Sequence, residues 1–188
     1  MKKGLFIGGS IVGIVLLIGI IFTNTYNGLV SMNEDVESKM ADISVQLERR
    51  IDLIPNLVST VKGYAKHEQD VIDSVTTARS NLMSATGAED MAEANSKLTS
   101  ALNNLLVIVE NYPELKSNTN FIQLQDELAG TENRIAVARK DYNEVVKEYN
   151  KTIKSFPKKI LADIFDFEEK EYFEAKENAN EVPEVSFD

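Results

Sequence analysis

Cysteine and tryptophan are absent from this 188-residue chain, histidine occurs once and proline four times. Without cysteine there is no disulfide framework, no thiol redox motif and no thiol nucleophile. The lone imidazole, His67, would have to serve any catalytic triad or histidine-based metal site. His67-Glu68 begins like a zincin motif, but the second histidine four residues on is missing. A di-iron bundle needs Glu-x-x-His pairs on two helices, and position 64 is Tyr64. No glycine-rich phosphate loop is present. His67 therefore reads as a partly exposed residue at the middle of a long helix, and no catalytic, metal or cofactor-binding residue is assigned. Positive charge is also scarce. The net charge is −10, and residues 166–188 carry nine acids against two lysines. With no Lys/Arg stripe interleaved with aromatics, nucleic acid is excluded as a partner, and no small-molecule substrate is evident.

What is present begins with an apolar run from Leu5 to Phe22 (LFIGGSIVGIVLLIGIIF), uncharged and with one hydroxyl. At 1.5 Å per residue it reaches about 27 Å, near the thickness of a bilayer core. Lys2 and Lys3 precede it. A signal peptide has a shorter apolar core and a small-x-small cleavage site, whereas Phe22-Thr23-Asn24-Thr25-Tyr26 follows here. Residues 1–4 are thus expected to form a cytoplasmic tail and 5–23 a transmembrane anchor in the bilayer. The next twenty residues hold one lysine among several acids. The positive-inside bias then places the remainder outside the cytoplasm.

Beyond Tyr26 the pattern is helical throughout. Leu29, Asn33, Val36, Met40, Ile43, Leu47, Arg50, Ile54, Leu57, Val61, Tyr64, Glu68, Val71, Val75, Ala78 and Leu82 follow a four-three spacing, the ridge of a coiled-coil-like helix. Asn33, Arg50 and Glu68 interrupt it, either fixing register or facing solvent at a helix crossing. Pro55 removes one backbone hydrogen bond and clashes with the carbonyl of Ile51. A hairpin with Asp52 as helix cap is one reading. The unbroken heptad phase and the lack of turn residues favour a kinked, continuous helix running to about Ala85. Gly87 suits the turn that follows, and Thr86-Gly87-Ala88-Glu89 has capping-box spacing. A second helix is expected over 89–112, ended by Pro113. A third, capped by Ser117 or Asn118, carries Phe121, Leu124, Leu128, Thr131, Ile135, Ala138, Tyr142, Val145 and Tyr149. A short fourth covers 158–165, with Ile160, Leu161, Ile164 and Phe165 on one side. The fold class is all-α: a single-pass transmembrane helix, then an antiparallel bundle of long helices over 26–165, then an acidic, largely disordered tail over 166–188.

Three groups of residues qualify as candidate sites. Arg49, Arg50, Asp52, Pro55 and Asn56 mark the kink, where the polar side chains satisfy carbonyls freed by Pro55 or receive an acidic partner. Arg79, Glu110, Glu132, Arg134 and Arg139 flank core positions of three helices and suit an interhelical ion network. A first helix about 90 Å long beyond the membrane would outrun its neighbours. Leu29, Val36, Met40, Ile43 and Leu47 would then form a bare self-association ridge, suiting a homo-oligomer or a membrane-protein partner. Residues 156–165 are expected to cap the bundle rather than lie on the membrane, because Lys158 and Lys159 are few for a surface helix.

These motifs resemble the LemA family of bacterial membrane-anchored helical proteins. The resemblance covers nearly everything from Tyr26 to about Phe173. Its most specific segment is Arg49-Arg50-Ile51-Asp52-Leu53-Ile54-Pro55-Asn56-Leu57-Val58, joined by Val61-Lys62-Gly63-Tyr64, Glu110-Asn111-Tyr112-Pro113-Glu114-Leu115-Lys116, Thr131-Glu132-Asn133-Arg134 and Phe156-Pro157. It implies a single-pass protein of the bacterial cell membrane with a helical-bundle domain, and it carries no activity with it. The expected role is a non-enzymatic scaffold or interaction protein. An accessory subunit of a membrane enzyme or protease system is the second reading.

Overall fold

In the computed structural model, described over residues 2–65 and 67–175 with side chains from residue 13 onward, every regular element is helical. The helices are α1 (Lys2–Tyr64), α2 (Gln69–Ser84), α3 (Ala88–Val109), α4 (Pro113–Lys116), α5 (Thr119–Lys154) and α6 (Lys158–Ile164). Residues 176–188, most of the expected disordered tail, lie outside the described residues.

Near its N-terminus α1 is long and apolar enough to cross a membrane. The large side chains from Ile14 to Phe22 are exposed, as lipid-facing residues are in a protein without its bilayer. The helix then passes through Pro55 without a break. Its ridge is buried at Leu29, Val36, Ile43, Leu47, Arg50, Ile54, Leu57 and Val61, the four-three register expected of it.

The ridge ends earlier than its periodicity suggests. α1 stops at Tyr64, and α2 begins at Gln69 rather than continuing to Ala85. The apolar spacing resumes soon after the break at 65–68, so the break stays invisible in the pattern. The core position after the break is Ile72 instead of Val71, while Val75, Ala78 and Leu82 keep their places. His67 is exposed in this turn and not at the middle of a helix. Side chains from elsewhere hold the turn: Tyr112 donates its phenol to Glu68 Oε1 at 2.8 Å, and Asn118 Nδ2 donates to the Tyr64 hydroxyl at 3.0 Å.

This break also overturns the bare ridge. From Tyr26 to Tyr64, α1 measures about 58 Å, and the 36 residues of α5 measure about 54 Å. The ridge is not bare in either unit. Leu29, Val36, Ile43 and Leu47 are all buried within the chain, and Met40 is partly so.

The chain divides into two compact units, residues 1–39 with 144–170, and residues 40–143 with 171–188; α1 and α5 contribute to both. The first unit buries Leu29 and Val36 of α1, Val146, Tyr149 and Ile153 of α5, and Leu161 and Ala162 of α6. The Asn150 side chain clasps the Lys170 backbone from both sides, donating to its carbonyl at 2.8 Å and accepting from its N–H at 2.9 Å. Ile160 and Ile164 of α6 are exposed, against the expectation that they share a buried face with Leu161. The peptide bond before Pro157 is cis.

The second unit packs α2 against α3 and centres on Ile54, Leu57, Val61, Ile72, Leu98, Leu105, Leu115 and Phe121. Gly87 adopts φ 83° at the α2–α3 turn, a region closed to most side chains. It, rather than Thr86, is the N-terminal cap of α3, and no side chain caps there, so the expected capping box does not form. Pro113 opens the single turn of α4, and of the two expected caps of α5 it is Asn118, rather than Ser117, that accepts from the Phe121 N–H, at 3.1 Å. Phe173 is buried, with its backbone clasped by Asn143 and the neighbouring Glu171 carbonyl taking the Tyr142 hydroxyl. The segment up to Phe173 thus belongs to the fold.

Candidate functional site

Among the described residues, the buried core of the second unit holds one charged side chain. Arg50 sits on the α1 ridge between Leu47 and Ile54, and the helical repeat points it inward; it is 3% exposed. Its guanidinium meets two further helices. From α3, Asn95 Oδ1 accepts at 2.5 Å and Thr99 Oγ1 at 3.0 Å. From α5, Glu132 pairs in charge with the same guanidinium. Arg50 Nε is buried without a hydrogen-bond partner. Burial pushes the guanidinium below its ordinary value and Glu132 pulls it back up. An arginine stays charged despite such shifts, so a permanent cation is held where three helices meet.

Two clefts flank this cluster. One, of about 190 Å³, is mostly apolar and is lined by Leu57, Leu102, Leu106 and Leu128 beside Arg50 and Glu132. The other, of about 200 Å³, is more polar and is bordered by Asn95, Ser96, Thr99, Glu132, Arg139 and Phe173. No group of three His, Asp or Glu residues able to hold a metal ion occurs among the described residues.

The candidate kink residues divide by position. Asp52, Pro55 and Asn56 are exposed. Arg49 points to α5 and bonds Glu127 at 2.6 Å, with both side chains half exposed. The carbonyl that Pro55 leaves free is that of Ile51, and it is satisfied by none of these. Arg79 on α2 donates its Nε to it at 3.0 Å. The job expected of the kink residues is done from another helix.

The expected ion network assembles differently. Of its five members, Glu132 pairs with Arg50, Arg79 serves the Ile51 carbonyl, and Glu110 pairs locally with Lys116 at 2.5 Å. Arg134 and Arg139 are exposed on α5. Sequence reasoning missed Asn95 and Thr99. Asn95 lies three residues before Leu98 in the repeat that continues through Leu102 and Leu105, so extending that repeat backwards would have flagged it.

The LemA family model matches residues 39–187. The chain is similar to Magnetosome protein MamQ 2 of Paramagnetospirillum magneticum, 27% identical over 89% of this chain and 71% of that one. It is also similar to Magnetosome protein MamQ of Magnetospirillum gryphiswaldense, at 26% over 80% and 65% of the two chains. Protein LemA of Metamycoplasma hominis is 23% identical over 70% and 62%. With the family model covering most of the chain, including the Arg50 cluster and the proline within α1, this protein belongs to the LemA family.

Proposed function

We propose that this chain is a membrane-anchored, non-enzymatic helical scaffold that presents its second unit to a protein partner, in the first instance another copy of itself. The observation that carries the reading is the engagement of its chemistry-bearing core groups in holding helices together. Arg50 joins α1, α3 and α5, Arg79 completes the backbone of α1, and Glu68 receives Tyr112. The Leu29–Leu47 ridge is buried and no longer supports self-association. An exposed strip does: Val45 and Val137 are 60% and 61% exposed beside Asp42, Arg134 and Asp141, lining a shallow groove. A patch carrying both charge signs is suited to two-fold pairing, in which each residue meets its counterpart's neighbour.

Lys2 and Lys3 before the apolar run favour an N-terminus in the cytoplasm and the helical units outside. Because the chain has no cysteine, Val45→Cys and Val137→Cys each supply one unique thiol. Cells expressing either variant are treated with a membrane-impermeant bismaleimide. The expected product is an adduct of twice the chain mass. An adduct with a different polypeptide supports the accessory-subunit reading instead. No adduct from either position, with impermeant or permeant reagent, overturns the scaffold reading; an adduct with permeant reagent alone reverses the orientation only.

A further inference from the structure

The first unit carries a second apolar surface beside the apolar run of α1. Phe156 is 84% exposed, Ile160 52%, Ile164 60% and Phe165 41%. Ile160 and Ile164 lie one turn apart and share a stripe of α6, whereas Leu161 and Ala162 face inward and are buried. Apolar residues gathered in this way mark a surface that something covers.

Its position says what covers it. The Phe165 ring meets Phe22 at 5.8 Å and Tyr26 at 4.7 Å, and Phe167 also approaches Tyr26, at 6.0 Å. Phe22 is the last residue of the apolar run, so the C-terminal end of α6 sits where the chain leaves the hydrocarbon. Tyr26 suits that level of a bilayer, its ring apolar and its hydroxyl polar at the headgroup boundary, and the three phenylalanines around it add apolar surface on the hydrocarbon side. The exposed stripe of α6 therefore continues the exposed surface of residues 14–22 rather than standing apart from it. Lys158 and Lys159 are few for a surface helix, so apolar contact and not charge has to carry the attachment. Lys159 is paired with Asp163 at 2.8 Å, and Lys158 is exposed, with a stem long enough to lift its ammonium into water.

We propose that Phe156 and α6 form an interfacial element lying in the surface of the bilayer, with Ile160 and Ile164 turned into the boundary between headgroups and acyl chains. The protein then holds the membrane at two places far apart in sequence, the anchor and residues 156–165. Two acquired features of the fold make this possible: α5 runs back along α1, and α6 buries only one side. This inference rests on the anchor reading, and its test separates the two.

The chain lacks tryptophan, so a single introduced indole reports on its own surroundings. The full-length protein is reconstituted into vesicles of phosphatidylcholine and phosphatidylglycerol as four variants: I160W, I164W, L17W within the anchor and V107W on an exposed face of α3. All four positions are exposed, so a tryptophan fits without disturbing packing. The expected result is blue-shifted emission from I160W and I164W relative to V107W, strong quenching by lipids brominated near the headgroup, and loss of most quenching by acrylamide. Emission and acrylamide quenching equal to V107W would overturn the proposal. So would protection from acrylamide without lipid quenching, which assigns the stripe to a protein partner. Quenching of L17W by deeply brominated lipid shows that the anchor itself is inserted; its loss would overturn the anchor and this inference together.

Discussion

At the scale of single residues, Arg50 decides the most. A buried cation with one unpaired nitrogen is tolerated because Asn95, Thr99 and Glu132 converge on it from two other helices. The two partners in charge are unequal. Arg50 is buried, whereas the Glu132 side chain is 41% exposed and keeps contact with water. Replacing Arg50 by methionine strands the Asn95 and Thr99 acceptors in the core, and destabilisation of about 2–3 kcal/mol is expected. Glu132→Gln keeps a hydrogen-bonding group at the buried Oε2 position but leaves the guanidinium without its counter-charge; because the rest of the side chain reaches water, it should cost less than the loss of Arg50, about 1–2 kcal/mol. Urea unfolding of the purified chain in detergent measures both. Equal costs would mean that the ion pair, and not the desolvated guanidinium, dominates the site.

At the scale of elements, the proline within α1 and the arginine on α2 form one device. Pro55 cannot bond the Ile51 carbonyl, and Arg79 takes that role at 3.0 Å. Arg79→Met should therefore cost about 1–2 kcal/mol by leaving a carbonyl unsatisfied. Pro55→Ala restores the N–H and should stabilise by about 1–3 kcal/mol. In the Pro55→Ala background the helix supplies its own donor, so Arg79→Met should lose most of its effect. A double-mutant cycle on the melting temperature reads this coupling directly. Additive effects would show that Arg79 stabilises α2 for some other reason. Part of this device is legible in the sequence, since Pro55 identifies the carbonyl in need. Its donor is not, because Arg79 lies beyond a turn whose place the heptad pattern hides.

At the scale of the whole molecule, three phenols tie the fold to alkaline pH. The hydrogen bond from Tyr112 to Glu68 pushes its phenol up, and burial does the same for Tyr142 and Tyr149, aided by Glu171 and Glu168. Below the ordinary phenol value of about 10, folded and unfolded chains hold the same protons. Above it the unfolded chain ionises first, so stability is present below pH 10 and falls as pH rises towards the higher folded values. The melting temperature should drop above about pH 10, and the drop should be shallower in a Tyr142→Phe, Tyr149→Phe variant. An unchanged slope would place the alkaline loss elsewhere, for example in the lysine pairs. Tyr142 also holds the Glu171 carbonyl, so this variant is expected to melt somewhat lower at neutral pH.

The residue pattern alone determined the apolar run, the all-α class and the ridge of α1, and it narrowed the cap of α5 to Ser117 or Asn118, because hydropathy and periodicity act locally along a helix. Family membership was legible from the same local motifs. Which groups meet was settled only by packing. The apolar spacing resumes after the break at residues 65–68, so the pattern could not show where α1 ends or that its ridge is covered. Nor could it show that Asn95 faces Arg50, that Arg79 serves Ile51, or that α6 leaves Ile160 and Ile164 uncovered. Contacts between distant residues depend on how helices cross, and a repeat of three and four residues records which side of a helix is buried without recording against what.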